Sequence, residues 1–598
     1  MNFQKIKDLK KLVTKKHLKY LISVFLGNQI GGILEMIGLG AVPIIAIYLF
    51  NPDKLFEFVD QKNLFFLSDF FKSENSLIIA LSLLVMFFLF KNLFLVLMVY
   101  LQRRVGIIIR NYNVSKLYTK YLYSPYKVHV KKDPAKLIGI ISQDAPNACT
   151  IIELIILILR EVFLILYVII LLLLVDPLTF SIILTFFILL SILFIFFTKK
   201  YSFRKGSKLQ KDRLENFLSI DQTFESIKDI KILQREKFFE NNFIKLIKSQ
   251  EKQKLFLSIT NVIPRFAFEM LTIIMIVFII IFSKSFGLSV DKIVTSITFL
   301  AFSSIRLIPA FKTINTSINN IFFNLPSLDI IVAEQKEIDQ LQYKNEFLNK
   351  KDIQEKNIIS DISFKNEIEI KDIVYKYENN LPPVINELSF KIKKGEKIGL
   401  VGPSGSGKTT LINCLLGLLP LNQGFIHSDG KDISKNFDSW KKQVGYVPQD
   451  IYLLGDTIIR NIAFGLNNDE IKSLKINSSV SISNSSEFID NLPKKLETLV
   501  GNRGLAISGG QRQRIGIARS LYNSPNFLIL DEATNALDEK LEKKIINNIF
   551  NIGYDITILI IAHRISSLEG CDKLIYLENG KIKGSGKFHE ITKKYKLI

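Results

Sequence analysis

Cysteine is scarce in this chain of 598 residues: Cys149, Cys414 and Cys571 are the whole complement, and no two form a CxxC pair. That excludes the even-numbered disulfide framework of small secreted domains and leaves no thiolate metal site. Acid is short as well, with 56 Asp and Glu against 78 Lys and Arg and a formal charge of +22. No obvious small-residue cleavage site follows the basic start "MNFQKIKDLKKLVTKKHLKYL". The apolar run that follows is longer than a signal-peptide core, so this start reads as a cytosolic flank.

A basic excess of this size suits nucleic acid, but its distribution argues against that partner. Much of it lies in two long loops, 103–136 and 199–254, that separate apolar runs. Cytoplasmic loops under the positive-inside rule look like this. The segment 51–75, between the first two runs, instead holds Asp53, Glu57, Asp60, Asp69 and Glu74 against Lys54, Lys62 and Lys72, as an external loop would.

Hydrophobic residues make up 48% of the chain and concentrate before about residue 320, in runs such as "LIIALSLLVMFFLF". A bilayer core of roughly 30 Å takes about 20 apolar residues per helix. Six candidates follow: about 20–50, 76–100, 149–175, 178–198, 256–283 and 288–320. Six spans bring both termini to the cytosolic side. Spans three and four meet at "VDPLT", where Pro177 closes one helix and opens the next. Residues 55–71 mix phenylalanines with acids and read as an interfacial amphipathic helix or a packed loop helix.

After about residue 360 the text changes. A charged helix and linker lead into strands at "EIEIKDIVYKY", "KIGLVG", "VGYVP", "FLILDE", "ITILIIAH" and "KLIYLENGKI", alternating with helical stretches. That alternation predicts an α/β domain with a largely parallel core. The predicted organisation is a six-span transmembrane domain over 1–325, a linker over 326–366 and an α/β nucleotide-binding domain over 367–598.

"GPSGSGKT" fits G-x-x-x-x-G-K-[ST] at Gly402, Gly407, Lys408 and Thr409, between an apolar strand and a helix. In that setting backbone N–H groups and the helix N-terminus face phosphate oxygens, Lys408 neutralises the outer phosphates and Thr409 ligates Mg²⁺. Downstream, "FLILDEATNALD" ends a strand in Asp531, placed for the metal, and Glu532, placed to polarise an attacking water. "ISGGQRQRIGIARSL" opens a helix at Ser508, Gly509 and Gly510, a second anion site that one phosphate tail does not need within one subunit. Two facing subunits would use both.

These motifs together resemble the ATP-binding cassette exporters, as a half-transporter with one membrane domain and one nucleotide domain. The resemblance implies ATP and Mg²⁺ as cofactors and a head-to-tail homodimer, in which the signature of one subunit closes over ATP held by the other. It identifies Gln449 in "VGYVPQD" as the Q-loop glutamine, which also reaches the metal, and His563 in "IIAHR" as the switch histidine. Asp538 matches the D-loop aspartate, and Tyr377, 25 residues before Gly402, matches the aromatic that stacks on adenine. The remaining ATP contacts it implies are Ser404, Gly405, Ser406 and Thr410 in the loop, and Gln511 beside the signature glycines. Glu532 would be the general base. Three positions depart from the usual pattern: Ile507 for leucine, Asn535 for serine and Asn502 for glutamate.

Charges inside spans are costly and mark function or pairing. Lys91, Arg160, Glu161, Arg265, Glu269, Arg306 and Glu35 all fall within the candidate spans. Arg265 either snorkels or pairs with Glu269 at i,i+4. Lys91 and Arg306 have no acid within a turn and are expected to face a cavity together with Arg265 and Glu35. Guanidinium forks suit phosphate oxygens. "PRFAFEM", "IRLIPAF" and "LPSLDII" are similar to bacterial flippases of lipid-linked oligosaccharides, implying a polyprenyl-pyrophosphate glycan moved to the outer leaflet of the inner membrane. A multidrug or lipid exporter is the alternative within transporters, and an ATP-gated channel or regulatory subunit the alternative outside them.

Overall fold

The computed structural model describes residues 3–50, 76–173, 177–285, 290–350, 361–378, 380–501, 504–552, 555–562 and 564–596. The expected interfacial helix at 55–71, the turn at Asp176, Asn502 and His563 lie outside these residues. The chain divides into two compact units, Met1–Ser124 with Val128–Tyr343, and Pro125–Lys127 with Lys344–Ile598.

The elements of the first unit are, among the described residues, all helices. A short α1 (Phe3–Lys10) precedes α2 (Lys15–Phe50) and α3 (Ser76–Leu122). Two short helices, α4 (Tyr126–Lys131) and α5 (Pro134–Gly139), lead through a π-helical turn at Ile140–Asp144 into α6 (Ala145–Leu173). Then come α7 (Pro177–Glu225), the short α8 (Ile227–Leu233), α9 (Glu236–Ser285) and α10 (Val290–Lys350). The segments "SPYKVHVKKDP" and "TFESIKDIKIL" thus hold short helices. Asp133 starts α5 by accepting the Ala135 N–H at 2.8 Å, which satisfies one of the open donors of the first turn.

At 1.5 Å per residue, the 47 residues of α3 run to about 70 Å, twice the hydrocarbon core. The basic loops read from sequence are therefore mostly continuations of the spanning helices. Among the described residues four segments are long and apolar enough to cross a membrane: Lys15–Gly38, Ile78–Leu122, Leu184–Glu225 and Glu236–Ile281.

Two apolar clusters hold these helices together. One joins Leu9, Leu12, Met98, Ile109, Ile151 and Leu328 of α1, α3, α6 and α10 and the short segment after α1. The other is built on Phe187, Phe268 and Phe311 of α7, α9 and α10, with ring centroids 5.1 to 5.5 Å apart. Gly206 lets α7 approach α10, since a β-carbon there would stand 2.0 Å from the Phe323 carbonyl oxygen. Buried amides add direction where apolar contact alone would let helices slide. Asn315 donates to Ser191 Oγ at 2.9 Å, and Asn319 donates to Thr260 Oγ1 and Asn261 Oδ1, both at 3.0 Å.

The second unit is α/β. Strands β1 (Glu367–Tyr375), β2 (Ile385–Lys393), β4 (Gln423–Ser428) and β5 (Lys431–Asp432) form an antiparallel sheet in the order β2-β1-β4-β5. A six-stranded sheet has the order β10-β9-β3-β8-β7-β6. It uses β3 (Lys397–Val401), β6 (Val444–Val447), β7 (Phe527–Asp531), β8 (Thr557–Ile561), β9 (Lys573–Glu578) and β10 (Lys581–Gly586). Its pairings are parallel except that β10 returns antiparallel on β9. Every residue of β7 and β8 is buried, as unbroken apolar runs in a parallel sheet covered on both faces must be. Strand β3 lies between β8 and β9, so the chain leaves it from the middle of the sheet, where a tight turn meets a helix.

Candidate functional site

The turn after β3 is the phosphate loop. Gly402 has φ 153°, and a β-carbon there would meet the Leu577 carbonyl oxygen at 2.0 Å, so only glycine lets the loop pass β9. Gly407 caps α11 (Lys408–Leu415) with φ 103°, turning the first N–H groups of that helix toward the loop. Fully buried Trp440 fixes the far end by donating its indole N–H to the Leu415 carbonyl at 2.8 Å. The loop's own contacts are few: the Ser406 N–H reaches the Pro403 carbonyl at 3.2 Å, and the Ser406 carbonyl accepts Gly580 N–H at 3.1 Å.

Lys408 lies back over this loop, its Nζ donating to the Gly402 carbonyl at 2.8 Å and the Pro403 carbonyl at 2.9 Å. Burial pulls its pKa down, while Glu532 and Asp531 oppose that. Ser406 Oγ is buried and, among the described residues, has no hydrogen-bond partner. A phosphate oxygen would supply that partner and replace the two carbonyls at Lys408. The loop, the start of α11, Lys408 and Ser406 therefore fit a nucleotide triphosphate tail. Ser404, Gly405, Thr409 and Thr410 complete the loop and the first turn of α11, and Tyr377 stands beside that turn with its hydroxyl 3.4 Å from Thr410 Oγ1.

Asp531 ends β7, three per cent exposed, with Tyr446 donating to its Oδ2 at 3.5 Å. Burial, with Glu532 adding to it, raises the Asp531 pKa to about 6. The next residue, Glu532, has φ 52°, a left-handed conformation that glutamate rarely takes and that concentrates at functional sites. That turn out of the strand carries the Glu532 carboxylate to Gln449, whose Nε2 donates to Oε2 at 2.5 Å. Asn535 donates to the same oxygen at 3.2 Å. Among the described residues no group of three His, Cys, Asp or Glu side chains could cage a metal. Mg²⁺ does not need one, because it takes much of its shell from phosphates and water. Thr409, Gln449 and Asp531 would hold it.

The signature is arranged as a helix start. Ser508 caps α12 (Gly509–Leu521), its Oγ accepting the Gln511 N–H at 3.2 Å while Gln511 Oε1 accepts the Ser508 N–H at 2.9 Å. Gln511 is thus spent in a capping box. Gly510 sits close under the D-loop, and Gln513 of α12 holds that loop by accepting the Ala536 N–H at 2.9 Å. Asp538 caps α13 (Glu539–Phe550) through the Leu541 N–H at 3.0 Å. No hydrogen bond or ion pair joins 508–511 to 402–410 within the chain among the described residues.

Sequence reading missed three contributors. Asn535, noted there only as a departure from serine, contacts Glu532; Tyr446, three residues before Gln449, contacts Asp531; and Gln513 ties signature to D-loop. Only the first left a signal in the sequence.

In the first unit the span charges are paired in part. Arg265 Nε donates to Glu269 at 2.7 Å on the same helix, the i,i+4 alternative. Arg160 bonds its neighbour Glu161 rather than a charge on another span. Arg306 on α10 pairs with Glu35 on α2, across helices. Lys91 places its Nζ over the Phe88 ring, 4.2 Å from the centroid.

Comparison with known proteins covers both units. Residues 53–306 match the ABC transporter transmembrane region, and residues 385–535 match the ABC transporter ATP-binding model. A leukotoxin export ATP-binding protein of Aggregatibacter actinomycetemcomitans is 40% identical over 228 residues, 38% of this chain and 32% of that one. An ATP-dependent lipid A-core flippase of Photobacterium profundum is 36% identical over 228 residues, 38% of this chain and 39% of that one. The chloroplastic ABC transporter B family member 29 of Arabidopsis thaliana is 38% identical over 262 residues, 44% of this chain and 38% of that one. These alignments span between 32% and 39% of the relatives' lengths. A solved bacterial Atm1-family ABC exporter with ATP bound superposes with a TM-score of 0.72 at 19% identity, covering 97% of this chain and 96% of its own, which establishes the exporter fold. With a transmembrane region (residues 53–306) and an ATP-binding domain (residues 385–535), both of the ABC transporter kind, joined in a single polypeptide, the chain belongs to the ABC transporters.

Proposed function

We propose that this chain is an ATP-hydrolysing exporter that works as a homodimer in a bacterial cytoplasmic membrane, with its nucleotide domains and termini cytosolic. Its preferred cargo is a lipid-linked oligosaccharide or related anionic glycolipid, moved from the cytosolic to the outer leaflet. Bound Mg·ATP supplies the phosphoryl group whose hydrolysis drives the cycle. Lys408 and the N–H groups of the loop bind and neutralise the phosphates, Asp531 orders the metal shell, and Glu532, oriented by Gln449 and Asn535, takes the proton of the attacking water. Ser508 and Gly510 of the partner close the site, which accounts for a second anion-binding turn that, among the described residues, has no hydrogen bond or ion pair to the loop of its own chain. His563 would contact the outer phosphate.

The observation that carries the cargo assignment is the set of basic side chains within the stretch that matches the ABC transporter transmembrane region, Lys91, Arg265 and Arg306, each of which a two-fold dimer doubles. An anionic head suits such a set. A relative named as an ATP-dependent lipid A-core flippase supports a lipid cargo. The test is ATP-dependent translocation of a polyprenyl-pyrophosphate oligosaccharide in proteoliposomes, wild type against Glu532→Gln. Translocation by wild type alone supports the reading. Vigorous ATP hydrolysis without translocation removes this cargo and favours an exporter of other lipids or drugs.

A further inference from the structure

Three charged side chains from three helices meet around one stretch of α2. Arg306 of α10 donates Nη2 to Glu35 of α2, a pair that is neither fully buried nor open: the arginine side chain is 33% exposed and the glutamate 12%. Lys91 of α3 packs against α2 at Gly38, where an added β-carbon would stand 3.6 Å from Lys91 Cδ. Gly38 is three residues past Glu35, close to one helical turn. Among the described residues Lys91 has no carboxylate within 4 Å, and its ammonium rests on the Phe88 ring instead. Lys91 therefore lies beside the same stretch of α2 without joining the Arg306–Glu35 pair.

That arrangement differs from the other charged span positions. Arg265 and Arg160 are answered by acids on their own helices, at i,i+4 and i,i+1. Arg306 is answered from 271 residues away, by a side chain on a different helix. A guanidinium in a spanning helix is costly alone, so something must neutralise it at every stage. Its fork accepts a carboxylate or a phosphate through the same N–H groups. An anionic head that reaches Arg306 must therefore take the place Glu35 holds.

We propose that Glu35 is a built-in stand-in for the anionic head of the cargo. It occupies Arg306 while no cargo is bound, and it yields to a phosphate or pyrophosphate group, moving one turn along α2 to Lys91. The exchange keeps Arg306 paired before and after loading and gives Lys91 a carboxylate once cargo is bound, and it sets a threshold: neutral amphiphiles cannot displace Glu35, so they do not count as cargo. This inference rests on the proposed anionic cargo and adds the residue that discriminates for it.

The experiment uses the full chain in lipid nanodiscs, with ATP hydrolysis followed against farnesyl pyrophosphate and, as the uncharged control, farnesol. Glu35→Gln removes the competitor and is expected to lower the half-maximal farnesyl pyrophosphate concentration about tenfold, while farnesol stays without effect. Glu35→Asp, which keeps a carboxylate, is expected to restore a response close to wild type. Adding Arg306→Gln to Glu35→Gln is expected to abolish the gain. Loss of a merely structural ion pair would weaken or destabilise the protein and would not sharpen its response to an anion. If wild type responds to farnesyl pyrophosphate and Glu35→Gln responds at the same concentration, the stand-in role is wrong and the anionic cargo survives. If neither protein responds to either compound, both readings fall.

Discussion

Gln449 Nε2 donates to Glu532 Oε2 at 2.5 Å, and this contact fixes the direction of the carboxylate before anything binds. Glu532 leaves β7 in a left-handed conformation, so its side chain points away from the sheet rather than along it. Two amides, from Gln449 and Asn535, then hold one oxygen of that side chain. An amide donor stabilises the ionised form of a base without competing for its proton. The same Gln449 is a candidate metal ligand, so metal binding and base orientation pass through one side chain.

The contact predicts a specific effect of Gln449→Glu. Two carboxylates in contact cannot both ionise easily, and the apparent pKa of the pair rises. Maximal ATP hydrolysis is expected to fall at least tenfold at neutral pH, with the acid limb of the pH–rate profile displaced upward by about one unit or more. Gln449→Ala is expected to lower the rate without that displacement. Profiles between pH 5.5 and 9 check this, and a Gln449→Glu acid limb identical to wild type would remove the contact from the working enzyme.

Asp531 predicts a pH dependence of opposite origin. Burial raises its pKa from 3.8 to about 6, with the Glu532 charge contributing. The folded protein thus holds this proton more tightly than the unfolded chain, so ionisation of Asp531 lowers stability as pH rises from about 4 to about 6. A metal ion needs the ionised form. Mg·ATP binding is expected to release a proton below about pH 6 and to weaken up to tenfold per unit as pH falls further, with little change from this group above 6. Calorimetry in buffers of different ionisation enthalpy counts that proton. Asp531→Asn is expected to lose the proton release and to melt higher than wild type at pH 7 when free of nucleotide.

The parts of the molecule legible in the sequence are those whose chemistry repeats at short range. "GPSGSGKT" names its own loop because a strand, six residues and a helix suffice to build it. Arg265–Glu269 was visible for the same reason, as a pair one turn apart. Arg306–Glu35 and Lys132–Glu334 were not, since 271 and 202 residues separate the partners and only helix packing brings them together. The basic loops were legible as charge and, from their helical texture, as helices running on out of the membrane, which is the form α3, α7 and α9 give them. Asn535 shows a third case: an unusual residue was noticed, but its purpose depends on the φ of Glu532, three residues earlier, which no spacing reveals.

Lys132 and Glu334 form a buried ion pair within the first unit, with side chains 6% and 8% exposed. Burial works against the Lys132 charge, but bonds to Glu334 and to Glu337 at 2.9 Å outweigh it and raise the pKa. Its contribution to stability is therefore complete below the unfolded value of 10.5 and fades only as pH passes the still higher folded value, so neutral pH leaves it unchanged. Glu334 also accepts the buried Tyr121 hydroxyl at 2.8 Å. Glu334→Ala leaves a lysine and a phenol without this partner and is expected to cost about 3–5 kcal/mol. Replacing both partners by apolar residues, Lys132→Met with Glu334→Leu, removes the uncompensated charge and is expected to recover most of that loss. Thermal unfolding of the full chain in detergent, at pH 7 and without nucleotide, compares the three proteins. If the double variant melts no higher than Glu334→Ala, the pair is not what balances the buried charge, and Glu337, half exposed beside it, already does so alone.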